Sequence, residues 1–193
     1  CAVETIHAMA EHANVCRFLH LAVQSGSDRI LQAMRRPYSV RDIDRSASTA
    51  VRLMPKLGLG CDLMTGFPDE RELDFIATAG LLQRHRFANA HVFPFSGRPG
   101  TPAVAYPNQV PANIRSSRAH ELSKAAFEIR KTFAQKFLGK RVQVLFEHER
   151  RHIGWTGEYL RCELKFGSAP RKSMADVLVT KVEDDCLFGI VKK

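Results

Sequence analysis

The apolar positions of the chain change period about two-thirds of the way along. Up to residue 138, short apolar runs of buried-strand length alternate with stretches whose apolar residues recur every three or four positions. That alternation predicts an α/β domain with parallel strands. A helical opening near Val3–Ala13 precedes the apolar run Cys16–Val23, a strand ending in the polar turn Gln24-Ser-Gly-Ser-Asp28. Ser25 or Ser27 is placed to cap the next helix, since a hydroxyl there accepts an orphan N–H of the first turn. Ser39 and Asp42 have the same layout before the helix Val40–Leu53, whose inward stripe reads Ile43, Ala47, Ala50, Val51 and Met54.

The second strand, Leu57–Met64, runs into Thr65-Gly-Phe-Pro-Asp-Glu70. Asp69 and Glu72 form a capping-box pattern, and the helix after them carries Leu73, Ile76, Ala77, Leu81 and Leu82 inward. A third strand, Ala90–Phe95, gives way to the turn-rich loop Ser96–Pro102. All three polar turns follow strand ends, where α/β folds place their chemistry. Pro111 suits the first position of a long helix with the stripe Leu122, Ala126, Ile129, Phe133 and Phe137. Arg115, Arg118, Lys124 and Lys131 occupy its other faces, and Gly139 ends it.

From residue 139 the period shortens to two. Val142–Phe146, Glu158–Phe166, Ala175–Val182 and Cys186–Val191 read as strands of a second, all-β unit over residues 139–193, a five-stranded barrel of the OB type.

Composition and charge narrow the functional classes. With 193 residues, 45% hydrophobic and 25% charged, the chain buries a core without crosslinks and is neither disordered nor a coiled coil. No apolar run reaches membrane-spanning length. The net charge of +9 divides as +2 over residues 1–111, +4 over 112–138 and +3 over 139–193. This asymmetry points to a polyanionic partner on the C-terminal half, against the plainer reading of a solvated basic surface. The five cysteines form no CxxC or Cys/His cluster. Their odd number, without a signal-peptide pattern, predicts free thiols in the cytoplasm.

Three segments carry a resemblance: His20-Leu-Ala-Val-Gln-Ser-Gly-Ser-Asp28, Asp62-Leu-Met-Thr-Gly-Phe-Pro-Asp-Glu70 and His91-Val-Phe-Pro-Phe-Ser-Gly-Arg-Pro-Gly-Thr-Pro-Ala103. With Met34-Arg-Arg-Pro-Tyr-Ser39 between them and a basic β-unit after them, the chain resembles the radical S-adenosylmethionine methylthiotransferases along nearly its whole length. It is most similar to the branch acting on threonylcarbamoyl-adenosine beside the tRNA anticodon; the isopentenyl-adenosine branch is the nearest rival.

The resemblance implies the end of a partial (β/α) radical barrel over residues 1–138, followed by the family's RNA-binding TRAM barrel. It implies S-adenosylmethionine and four-iron, four-sulfur clusters as cofactors, and a tRNA anticodon stem-loop as partner of a monomeric enzyme. Gln24, Ser25 and Gly26 fall where the family binds cofactor ribose or methionyl groups, with helix capping as the plainer alternative. Thr65, Gly66 and Glu70 fall in its adenine-side turn, although Glu70 also suits a helix start. Val92, Phe93 and Pro94 fall where adenine is received; Phe93 fits a core position as well. Asp62 lies inside an apolar strand, so it has a partner or faces a polar cavity.

For the RNA, the expected set is Arg98, Arg115, Arg118, Lys140, Arg141, Trp155, Tyr159 and Arg161, cations and aromatics of the kind that track phosphates and stack bases. Trp155 also fits the barrel interior. His148 and His152 read as surface residues. The family's CxxxCxxC loop is not in the chain. The expectation is therefore a C-terminal fragment, inactive alone, with RNA binding without catalysis as the alternative role. Ala22 and Asp69 stand where the family usually has Pro and Gly.

Overall fold

The computed structural model describes residues 3–147, 152–167 and 172–191. His148 lies outside the described residues. Three parallel strands, β1 (Phe18–Gln24), β2 (Gly58–Thr65) and β3 (Asn89–Pro94), form a sheet in the order β1-β2-β3. Helices α1 (Val3–Glu11), α3 (Val40–Leu53), α4 (Glu72–His85) and α5 (Ala112–Gln135) join it in one core, and the short α2 (Asp28–Ala33) follows β1. Leu19, Leu21 and Val23 of β1 and Leu59, Cys61 and Leu63 of β2 are buried in this core. The two-residue period of a strand sends their neighbours to the opposite face.

The second unit is a closed barrel of β4 (Arg141–Phe146), β5 (Ile153–Thr156), β6 (Arg161–Leu164), β7 (Ser173–Glu183) and β8 (Cys186–Val191), in the order β4-β5-β6-β8-β7. Mixed α/β architecture with a parallel sheet and a five-stranded barrel is thus what the alternating periods predicted. Helix α5 serves both units. Leu122, Ala126 and Ile129 lie in the sheet core; Phe133, Ala134 and, just past the helix, Phe137 lie in the barrel core. Each such aromatic removed from water contributes on the order of 2 kcal/mol. Gly139 turns the chain into the barrel at φ +73°, and its N–H donates to the Val179 carbonyl at 2.9 Å.

Several local readings are corrected. Ser39 and Asp42 do form a capping box, but Asp69 and Glu72 do not. Helix α4 starts at Glu72, and the Arg71 N–H donates to the Asp74 carboxylate at 2.9 Å. Asp69 instead takes φ +67° and pairs with Arg29. That start turns the helix so that Phe75, Thr78, Leu81 and Leu82 face inward, while Leu73 and Ile76 lie in solvent. Val51, about 100° around α3 from Ala50, is exposed as well. Pro111 stands one residue before α5 rather than at its first helical position, and makes no side-chain cap. The expected strand Glu158–Phe166 begins only at Arg161, because the Thr156 hydroxyl accepts from the N–H groups of Glu158 and Leu160, each at 3.3 Å, and closes a turn. Among the described residues no helix is long and apolar enough to cross a membrane.

Candidate functional site

The carboxyl end of β1 is a tight, internally bonded turn. Gln24 adopts φ +65°, unusual for a residue with a side chain, and the Ser25 N–H reaches back to the Val23 carbonyl at 2.8 Å. Ser27 precedes α2 in N-cap geometry, yet its hydroxyl donates to Asp74 at 2.6 Å rather than capping. The Ser25 hydroxyl accepts from the Ser27 N–H at 3.2 Å. Gly26 donates from its N–H to the Thr78 hydroxyl at 2.9 Å. A Cβ on Gly26 would stand 2.6 Å from the Ala77 carbonyl oxygen, so its small size serves the approach of α4. The Gln24 amide makes no side-chain hydrogen bond among the described residues and keeps some contact with solvent, whereas the Asn89 amide nitrogen is the buried side-chain atom there without a partner.

The turn after β2 is clamped by α5. Thr65 donates from its hydroxyl to the Arg115 carbonyl at 2.9 Å, and the Arg115 guanidinium donates to the Phe95 carbonyl at 2.7 Å. Gly66, at φ +69°, lies under the Arg115 side chain; a Cβ there would come within 2.0 Å of it. Glu70 accepts from the Gly66 N–H at 2.8 Å and from Arg118 at 2.8 Å. Arg118 also bonds Glu72 at 2.7 Å and lies over the Phe75 ring. Burial pushes the Glu70 carboxyl above its ordinary 4.5, against the Gly66 and Arg118 hydrogen bonds. Arg115 and Arg118, expected to face RNA, are therefore spent inside the molecule: both sit near the start of α5, directly over this turn.

The sheet face opposite the buried Leu19, Cys61 and Leu63 carries polar and aromatic side chains together. On it Asp62 bridges two histidines, His20 at 3.2 Å and His91 at 3.5 Å, whose ring centroids are 5.6 Å apart. Asp62 thus has partners and lies on the open face. The sequence reading missed both histidines, though their alternation with the buried positions places them there. Phe93, 37% exposed, continues the face beyond His91, whereas Val92 packs on the core and Pro94 is exposed at the strand end.

In the barrel, the Tyr159 ring stacks on Trp155 at 4.9 Å and on Phe18 of β1 at 4.7 Å. Trp155 is half-buried and Tyr159 stays 44% exposed while its ring joins barrel to sheet. Lys140, Arg141 and Arg161 are exposed, with Arg161 3.5 Å from Glu163. Arg98 is exposed in its loop.

For S-adenosylmethionine, the groups left free are the Gln24 amide and the accessible Phe93 ring, with Asp62 one-third exposed but already paired to His20 and His91. The polar atoms of Ser25, Thr65 and Glu70 are used internally. For an iron–sulfur cluster the residues do not fit: among the described residues no three His, Cys, Asp or Glu side chains are disposed to hold a metal ion. Cys61 and Cys162 are buried, and burial pushes the Cys162 thiol up to about 12.

No protein-family model matches the chain. Curated relatives do. The tRNA-2-methylthio-N(6)-dimethylallyladenosine synthase of Wolinella succinogenes is 38% identical over 152 residues, 79% of this chain and 35% of its own length. The synthase of the same name from Thermobifida fusca is 41% identical over 142 residues, 74% of this chain and 29% of its own. The threonylcarbamoyladenosine tRNA methylthiotransferase MtaB of Bacillus subtilis is 29% identical over 169 residues, 84% of this chain and 38% of its own. The chain belongs to the tRNA methylthiotransferase family. It spans about a third of the length of these curated relatives. The methylthiotransferase segments quoted from the sequence fall on the open sheet face and at the three strand ends.

Proposed function

We propose that the chain belongs to an enzyme that adds a methylthio group to carbon 2 of N6-threonylcarbamoyl-adenosine beside the tRNA anticodon. The observation that carries this reading is the extent of the match to the Bacillus subtilis relative, which covers 84% of the chain. The higher identities of 38–41% to relatives named for dimethylallyladenosine favour that base as the second reading. In the first reading the three strands are the closing part of a radical-enzyme barrel and β4–β8 is a TRAM module.

S-adenosylmethionine, when bound, would supply the radical chemistry together with a cluster whose ligands are not among the described residues of this chain. The residues of this chain orient the cofactor: Gln24 through its amide, Asp62 through its carboxylate and Phe93 by stacking. Ser25, Gly26, Thr65, Gly66 and Glu70 hold the two turns in shape. Val92 and Pro94 contribute backbone beside Phe93. Lys140, Arg141, Arg161 and Arg98 bind phosphates of the anticodon stem-loop.

The test is a titration of the chain with a fluorescent anticodon stem-loop across a range of salt. Affinity should fall steeply with salt, and replacing Lys140, Arg141 and Arg161 by Ala should flatten the log–log slope by about 2–3, one phosphate contact being worth ~0.7–0.9. A salt-independent affinity, or an unchanged slope in the triple variant, overturns the RNA assignment.

A further inference from the structure

A cleft of about 220 Å³ lies between the link joining α2 to α3 and the turn at Pro102–Ala105. Its deeper lining is Met34, Met64, Phe67 and Tyr106, and the exposed Arg35 and Arg36 stand beside it. Met64 is the residue before Thr65, so the cleft opens at the carboxyl end of β2 with the turns described above.

Arg35 occupies a conformation that does not suit it. Its N–H donates to the Gln32 carbonyl and the Arg36 N–H to the Leu31 carbonyl, both at 2.9 Å, the paired bonds of a Schellman helix ending. That ending needs the left-handed region, and Arg35 adopts φ +55° where glycine would be unstrained. Backbone strain of this kind is retained where a side chain has work to do. The link is also held rigid. Tyr38 donates from its hydroxyl to the Ala22 carbonyl, and Asp28 accepts from the Val40 N–H at 2.7 Å.

Neither the Arg35 nor the Arg36 guanidinium has a hydrogen bond or ion pair among the described residues. Other exposed arginines, Arg98 and Arg141 among them, are likewise without a side-chain partner there, but Arg35 and Arg36 are adjacent in sequence and both line this cleft. Two adjacent unpaired guanidiniums next to a small apolar cleft match a ligand with a carboxylate on a short carbon stem.

We propose that this cleft binds the carboxylate-bearing substituent of a modified adenine, with Arg35 and Arg36 on the carboxylate and the Met34, Met64, Phe67 and Tyr106 side chains around its carbon atoms. This inference rests on the tRNA reading above and names what selects its substrate. A purely apolar substituent leaves both guanidiniums without a partner, and the site discriminates against it.

The experiment measures binding of three anticodon stem-loops that differ only at one base: threonylcarbamoyl-adenosine, dimethylallyl-adenosine or unmodified adenosine. The chain should prefer the carboxylate-bearing RNA by about tenfold, the scale of one charge-assisted contact. Arg35→Gly should remove most of that preference, lowering affinity for the carboxylate-bearing RNA several-fold more than for the other two, and should raise the thermal midpoint by a few degrees. Arg36→Gln should weaken the preference in the same direction. Equal affinity for all three RNAs, or a preference that survives Arg35→Gly, overturns the cleft assignment and leaves the tRNA reading standing. No binding to any of the three overturns both.

Discussion

Arg118 and Glu70 form an ion pair at 2.8 Å inside the turn that follows β2, with the Glu70 side chain 1% exposed. The pair ties the first turns of α5 to the carboxyl end of the sheet. Removing only the arginine leaves a buried carboxylate without its counter-charge, so Arg118→Ala should cost about 3–5 kcal/mol in urea denaturation. Arg118→Met combined with Glu70→Gln should recover much of that loss, because the glutamine oxygen still accepts from Gly66. Equal losses in the single and double variants would show that the charge is immaterial. Because the folded Glu70 carboxyl titrates above 4.5, its contribution is full below that value and diminishes as pH rises through the folded value.

Asp74 behaves in the opposite sense. Burial acts to raise its carboxyl, but hydrogen bonds from Arg29, Ser27 and the Arg71 N–H prevail and hold it below the ordinary 3.8. Its stabilisation is complete above 3.8 and is lost as pH falls through the lowered folded value. Asp74→Asn should flatten the acid limb of a stability–pH curve and lower stability at neutral pH by ~1–2 kcal/mol. An acid limb identical to that of the parent chain would refute this assignment.

Gly26 offers a steric test. An alanine methyl would meet backbone atoms of Ala77 and Thr78 at 2.6 Å, and backbone does not yield as a side chain does. Gly26→Ala should destabilise the fold by about 1–3 kcal/mol. Amide exchange at Gly26 and through the second turn of α4 should accelerate with it; unchanged exchange there would place the effect elsewhere.

The stack of Tyr159 on Phe18 should couple sheet to barrel. A double-mutant cycle with Phe18→Leu and Tyr159→Leu is expected to give ~0.5–1.5 kcal/mol of interaction energy. Additive losses would mean that the rings merely adjoin.

Removing Asp62 should leave stability nearly intact. Its side chain is 33% exposed, and partly exposed pairs with histidine are worth under ~1 kcal/mol. Asp62→Asn should shift the denaturation midpoint only slightly; a loss of several kcal/mol would make it a structural residue.

The sequence by itself determined the alternation of strands and helices, the change of period near residue 139, the Ser39–Asp42 cap and the family. Each of these is written in neighbouring residues or in runs of ordered motifs, so local chemistry suffices to read it. Only the tertiary structure decided what the polar residues do. Arg118 looked like a surface cation because its helical face is ambiguous until α5 is laid over the turn at Glu70. Leu73 and Ile76 looked like core because α4 carries two apolar stripes, and the close contact at Gly26 and the Asp74 cap choose the other. That Tyr159 stacks on Trp155 and also on Phe18, a residue 141 positions away, emerges only from the packed structure. His20, Asp62 and His91 became one cluster only when parallel pairing set three strands side by side. Partnerships between residues distant in the chain depend on register and packing phase, and no local pattern encodes those.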